Sequence, residues 1–164
     1  MKFITYDAGN GARVGLVNAA GIVDLTKHAG VNSLRALIAD GKVDAMAAHA
    51  DAAADHALDD VSFLPVIPDP VHIWCVGVNY MDHLQEAIDA GLPRSKSEHP
   101  MIFGRYADTL VGHKENMMKS PVFTKFDYEC ELAVIIGKGG RHIAKEDALS
   151  HVAGYSCFNE GSAR

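Results

Sequence analysis

The stretch Asp127-Tyr128-Glu129-Cys130-Glu131-Leu132-Ala133-Val134-Ile135-Ile136-Gly137 decides how this chain is read. Together with Phe126 it predicts the strongest strand in the sequence, because its second half is an apolar, β-branched run. Successive strand side chains point to opposite faces. Glu129, Glu131 and Ala133 therefore share one face, and Tyr128, Cys130, Leu132 and Val134 share the other. Two carboxylates at i and i+2 repel each other, and their place at the head of an apolar strand adds a desolvation cost. A hard divalent cation resolves the conflict. Mg²⁺ and Ca²⁺ take oxygen ligands, and Mg²⁺ is usually held by one or two carboxylates plus water and substrate. Downstream, Asn159-Glu160-Gly161-Ser162-Ala163-Arg164 places another carboxylate after a strand, a usual location for a third ligand. No His/Cys cluster has the spacing of a zinc site, so oxygen ligation is the natural reading. The commoner reading of the strand alone is a solvated face with ordinary surface glutamates; the later carboxylate shifts the balance.

Upstream of it, Ile73-Trp74-Cys75-Val76-Gly77-Val78 is a near-continuous apolar run, the pattern of a strand buried on both faces. It feeds a short helix over 82–90 that ends at Gly91-Leu92-Pro93. Within that helix His83 and Glu86 stand at i and i+3, on one face. A carboxylate beside an imidazole orients it and raises its basicity, which makes His83 a candidate general base. The commoner reading of such spacing is a surface ion pair. The other eight histidines, His49, His56 and His142 among them, show no partner pattern and read as surface residues. Met101-Ile102-Phe103 reads as a strand, 145–152 as a helix and 153–158 as a final strand.

The first block has a different character. Phe3–Tyr6, Arg13–Val17 and Ile22–Leu25 read as short strands, with a turn over Asp7–Gly11. Ser33 caps a short helix that Gly41 stops. Residues 43–58 are alanine-rich with a helical tendency. Pro65, Pro68 and Pro70 then mark a linker or extended boundary. The expected division is a small β-rich domain over 1–65 and a second domain over 66–164.

Bulk properties exclude several classes. With 48% hydrophobic and 22% charged residues, the composition is that of a soluble globular protein. A net charge of −6 without a basic stripe argues against nucleic-acid binding. No apolar run approaches the roughly 20 residues of a membrane helix. The N-terminus turns polar at Asp7, before a signal-peptide core could form. A cytoplasmic protein with no membrane contact is expected. Cys75, Cys130 and Cys157 form no CxxC pair and read as small buried hydrophobes.

Taken in order, Cys75-Val-Gly-Val-Asn-Tyr-Met-Asp-His-Leu-Gln-Glu86, Ile102-Phe103, Asp127-Tyr-Glu-Cys-Glu-Leu-Ala-Val-Ile-Ile-Gly-Lys138 and Val152-Ala-Gly-Tyr155 with Asn159-Glu-Gly-Ser-Ala-Arg164 resemble the fumarylacetoacetate hydrolase family. The resemblance spans about residues 70–164, with a weaker likeness of the first 65 to the family's small N-terminal domain. It implies an α+β, mostly β chain, with a mixed β-roll catalytic domain after that N-terminal domain. It implies Mg²⁺ or Mn²⁺ (Ca²⁺ in some crystals) held by Glu129, Glu131 and Glu160, the last standing where the family usually has Asp. His83 and Glu86 would form a water-activating dyad on a lid helix. Tyr80 and Arg105 would bind substrate, Arg105 standing where many members have lysine.

The implied activity is hydrolytic cleavage of a carbon–carbon bond in a small 2,4-dioxo acid such as an acylpyruvate, through an enolate. Oxaloacetate decarboxylation, 2-oxo-4-enoate hydration and isomerisation pass through the same chemistry and remain open. Members are expected to be homodimers. The sequence stops at Arg164 inside the motif, so the roll is expected to be incomplete here. A fragment that binds a cation or a partner chain without turnover is the alternative from another class.

Overall fold

The computed structural model describes residues 1–91 and 99–163. Its chain divides into two compact units, one of residues 1–68 and 111–164 and the other of residues 69–110. Strand exceeds helix throughout, as the α+β reading requires. Among the described residues no helix is long and apolar enough to cross a membrane.

The N-terminal part of the first unit is a four-stranded antiparallel sheet. β1 (Lys2–Asp7) and β2 (Ala12–Asn18) form a hairpin. The Asp7 carboxylate closes its turn, accepting the N–H groups of Gly9, Asn10 and Gly11 at 2.7, 3.0 and 3.0 Å. β3 (Gly21–Asp24) pairs with β2, and β4 (Ser62–Phe63) pairs with β1, giving the order β3-β2-β1-β4. The sequence gives no forewarning of α1 (Leu25–Ala29), which follows β3 directly. Asp24 caps it, accepting from the Lys27 N–H at 2.9 Å, and Gly30 ends it at φ 66°. Only glycine adopts that left-handed conformation without cost. α2 (Leu34–Ala39) starts as expected at Ser33, whose hydroxyl accepts from the Ala36 N–H at 3.2 Å.

The core packs Val14, Leu16, Val23 and Leu25 of the sheet side against Val31, Leu34 and Leu37. Burying each such side chain stabilises the fold by about 1.5–3 kcal/mol. Beside it lies a polar network. Arg13 Nε donates to the buried Asp24 carboxylate at 2.6 Å. Asp55 accepts from Lys27 Nζ at 2.7 Å and from the Asp24 N–H at 2.9 Å, and its carboxylate stands 2.9 Å from His28 Nε2. His28 is therefore partnered, and the His56 ring packs edge-on against Tyr6, so these two are not the unpartnered surface residues expected.

The alanine-rich stretch forms a 3₁₀ helix only over Asp44–His49, then turns. Alanine favours helix, but without a continuous apolar face there is little packing to sustain one. Residues 64–70 form no strand or helix. Leu64 and Val66 run beside β1, with the Leu64 N–H donating to the Thr5 carbonyl at 3.0 Å and Thr5 Oγ1 donating to the Val66 carbonyl at 2.7 Å.

The remaining strands of the first unit form two ribbons. β7 (Phe126–Asp127) pairs with β10 (Ser162–Ala163), and β8 (Cys130–Ile136) pairs with β9 (Val152–Asn159), all antiparallel. The single strand expected over 126–137 is thus two, broken at Tyr128 and Glu129. The expected helix over 145–152 is a 3₁₀ helix, Lys145–His151.

In the second unit, β5 (Ile73–Gly77) pairs with β6 (Met101–Arg105), and α3 (Met81–Asp89) follows β5. The expectation that β5 is buried on both faces fails. Trp74 is 67% exposed and Val76 41%, because among the described residues β5 belongs to a two-stranded ribbon rather than to the interior of a larger sheet. The cysteines also depart from expectation. Among the described residues none of the three forms a disulfide; Cys75 is half-buried, and Cys130 and Cys157 are exposed on the open face of the β8–β9 ribbon. Leu92 and Pro93, read as the stop of α3, lie outside the described residues, as does Arg164.

Candidate metal and catalytic site

Strand register puts the three glutamates on one side of one ribbon. In the β8–β9 ladder Glu131 stands opposite Phe158, and Cys130 opposite Asn159. One step further, the Glu160 N–H donates to the Glu129 carbonyl at 2.9 Å, so Glu129 and Glu160 face each other just past the ladder's assigned end. Because faces alternate, Glu129, Glu131 and Glu160 lie on the same side of the ribbon. That is the covered side. Glu129, Glu131, Ala133 and Ile135 are half-buried while Leu132, Val134 and Ile136 are exposed, and Glu160 is buried at 6%. Burial to that degree sets Glu160 apart from an ordinary surface charge, since a carboxylate is among the costliest groups to desolvate.

The loop that carries Glu160 is built for close approach. A Cβ at Gly161 would overlap Met117 Cε and the edge of the Phe126 ring, so a larger residue between β9 and β10 would have to displace those side chains. The Tyr128–Glu129 break is held from the same side. The Glu129 N–H donates to Asn159 Oδ1 at 3.1 Å, and Asn159 Nδ2 donates to Met117 Sδ at 3.2 Å. Asn159 carries no charge and so does not stand out among candidate ligands in the sequence. Its position, an amide directly before the third carboxylate, was the available signal.

The donor set fits a hard divalent ion in chemistry and in register: three carboxylates on one half-covered face, with no sulfur donor on that face. Among the described residues, no three His, Cys, Asp or Glu side chains are yet gathered closely enough to hold an ion.

The other expected site residues belong to the second unit. His83 is half-buried and Glu86 exposed on α3, three residues apart. No hydrogen bond joins them in the described structure; the side-chain bond on this helix is Gln85 Nε2 to Asp89 Oδ1, 2.8 Å. Tyr80 is the N-cap residue of α3, 46% exposed, with its carbonyl accepting from the Leu84 N–H at 3.0 Å. Arg105 ends β6 opposite Ile73, and its guanidinium lies 4.8 Å from the centre of the Phe103 ring. An open cavity of about 500 Å³ adjoins it, lined by His72, Trp74, Tyr106 and neighbours.

Comparison with known proteins places these observations. Residues 72–164 match the family description Fumarylacetoacetate (FAA) hydrolase C-terminal. The oxaloacetate tautomerase YisK of Bacillus subtilis is 38% identical over an alignment that covers all of this chain and 61% of the relative. The human mitochondrial oxaloacetate tautomerase FAHD2A is 40% identical over 105 residues, 64% of this chain and 32% of the relative. The chain thus spans about three fifths or less of the curated relatives it matches. Among solved structures, maleylpyruvate hydrolase from Sphingobium sp. SYK-6, in complex with manganese(II) and pyruvate, superposes with a TM-score of 0.78. It is 27% identical, over all of this chain and 60% of that one. The β-strand pair with its glutamates, the preceding β5–α3 segment and this match over more than half the sequence lead to one conclusion: the chain belongs to the fumarylacetoacetate hydrolase family.

Proposed function

We propose that this chain carries the metal-binding half of an enzyme that moves protons and electrons next to the 2-oxo group of a short oxo acid. The observation that carries the reading is the buried Glu160 facing Glu129 across the β8–β9 ladder, with Glu131 on the same side. Glu129, Glu131 and Glu160 would hold Mg²⁺ or Mn²⁺; the manganese in the maleylpyruvate hydrolase structure supports a divalent ion of this kind. When bound, such an ion supplies a Lewis acid that polarises a substrate oxygen and fixes its orientation.

The remaining roles fall to the chain's own side chains. The His83 imidazole takes a proton, either from the carbon beside the 2-oxo group or from a water molecule. The Glu86 carboxylate orients that imidazole and stabilises its protonated form. Arg105 pairs with a substrate carboxylate, for which a guanidinium offers two parallel donors. Tyr80, at the head of α3, contributes a hydroxyl to the substrate.

Two reactions use this set. Interconversion of the keto and enol forms of oxaloacetate is favoured by the relative that aligns with the whole chain. Hydrolytic carbon–carbon cleavage of an acylpyruvate or fumarylpyruvate-like acid is favoured by the maleylpyruvate hydrolase. The first needs only proton transfer by His83; the second also needs a bound water. We further propose a cytoplasmic homodimer and the sequence division at 65/66.

The test is a metal-dependent panel on the full-length protein, following the ultraviolet absorbance of enol oxaloacetate and of acylpyruvates. The proposal expects turnover of at least one of them that stops on exhaustive EDTA treatment and returns with Mn²⁺. Full activity surviving EDTA would refute it.

A further inference from the structure

We propose that Asn159 is the positioning residue of the metal site: its side-chain amide sets the direction in which Glu129 presents its carboxylate. The role rests on the metal reading of the three glutamates. Glu129 lies in the two-residue break between β7 and β8, where neither strand assignment covers its main chain. A residue in such a break has free φ and ψ unless something holds both its N–H and its C=O. Both are held from one direction. Its carbonyl accepts from the Glu160 N–H at 2.9 Å, as a ladder bond would. Its N–H is taken by the side chain Oδ1 of Asn159 at 3.1 Å.

In an unbroken antiparallel ladder, a closely bonded pair exchanges two main-chain bonds, so the Glu129 N–H would go to the Glu160 carbonyl. Here the Asn159 amide stands in for that carbonyl. The substitution lets the chain turn away at Gly161 into β10 while Glu129 remains fixed opposite Glu160. The amide has its own anchor. Nδ2 donates to Met117 Sδ at 3.2 Å, which leaves the oxygen turned toward Glu129. Two of the three proposed ligands are therefore locked to each other through residues 159 and 160.

Loss of a group that orients ligands typically weakens metal binding by about 10- to 100-fold. Asn159→Ala removes the acceptor; Asn159→Asp keeps an oxygen at the same place. The experiment measures Mn²⁺ affinity of the full chain by electron paramagnetic resonance, alongside the unfolding midpoint in EDTA. Backbone amide exchange at Glu129 is followed by NMR in the wild type. The expected result is a dissociation constant about tenfold or more higher in Asn159→Ala with an unchanged midpoint, recovery of most of the loss in Asn159→Asp, and a Glu129 amide protected in the wild type. Equal affinities for wild type and Asn159→Ala would overturn the role of Asn159 alone. A Glu129 amide that exchanges as freely as an unprotected one would do the same, and it needs no variant to fold. A wild type that binds no Mn²⁺ would overturn the metal reading and this role with it.

Discussion

Neutralising Glu131 should move stability in opposite directions with and without metal. The Glu131 side chain is half-buried, opposite Phe158, on the face that also carries Glu129 and Glu160. Two rises along a strand put Glu129 about 7 Å away. Glu160, diagonal across the ladder, stands about 7–8 Å away. At an effective dielectric of about 20, each like-charge pair at that distance costs about 2 kcal/mol. Solvent reaches part of this face and screens the pairs, which brings the net repulsion down to about 1–2 kcal/mol. Glu131→Gln preserves shape and removes the charge, so the metal-free variant should melt about 2–8 °C above the wild type for a chain of this size. Mn²⁺ at a hundred times its dissociation constant adds about 2.7 kcal/mol to the wild type. The variant, short of one ligand, should gain far less, so the order of the two melting curves reverses. Scanning calorimetry on both proteins, in EDTA and in excess Mn²⁺, reads the crossover. A Glu131→Gln protein that is less stable than wild type in EDTA, or that gains as much from Mn²⁺, would refute the reasoning.

Three other perturbations test neighbouring parts of the account. His83→Ala should lower kcat by about 10²- to 10⁴-fold on the responsive substrate while Mn²⁺ affinity stays unchanged, and an undiminished rate would remove His83 from the chemistry. Asp24→Ala takes the cap from α1 and leaves the Arg13 guanidinium without its buried partner, which should cost about 3–5 kcal/mol in urea unfolding; a loss below about 1 kcal/mol would show that the pair is dispensable. Acid should destabilise the N-terminal sheet through Asp55. Burial alone would raise its pKa, but the bonds from Lys27, the Asp24 N–H and His28 outweigh that and hold it below the usual carboxylate range. A lowered folded-state pKa contributes stability above the unfolded value of about 3.9 and loses it as pH falls below that value. Asp55→Asn should therefore flatten the fall in melting temperature on acidification below about pH 4, and an equally steep fall would contradict the assignment.

Much of this molecule is legible in local sequence, and the misses share a physical cause. The Asp7 turn, the Ser33 cap and the alternation through Glu131, Ala133 and Ile135 are short-range patterns, and the structure reproduces them. α1 was hidden because its signals are compressed: Asp24 closes a strand and caps a helix at once, and the helix lasts only five residues. The break at Tyr128 and Glu129 leaves no mark in hydropathy. It comes from the pairing of β7 with β10, a contact made by residues 35 or more positions away. β5 carries the composition of a strand covered on both sides, yet among the described residues it pairs with β6 alone. Composition reports what a strand is suited to, whereas exposure depends on which neighbours lie against it. For the site, periodicity alone placed Glu129 and Glu131 on one face. Only cross-strand register could set Glu160 opposite Glu129, and only the hydrogen-bond pattern could single out Asn159.

The central claim is that Glu129, Glu131 and Glu160 hold one divalent cation. Crystals of the full-length protein grown with Mn²⁺, with anomalous diffraction collected at the manganese edge, test it most directly. The account predicts one anomalous peak per chain, ligated by carboxylate oxygens of all three glutamates. A peak that engages none of them, or no peak from crystals saturated with Mn²⁺, would contradict it.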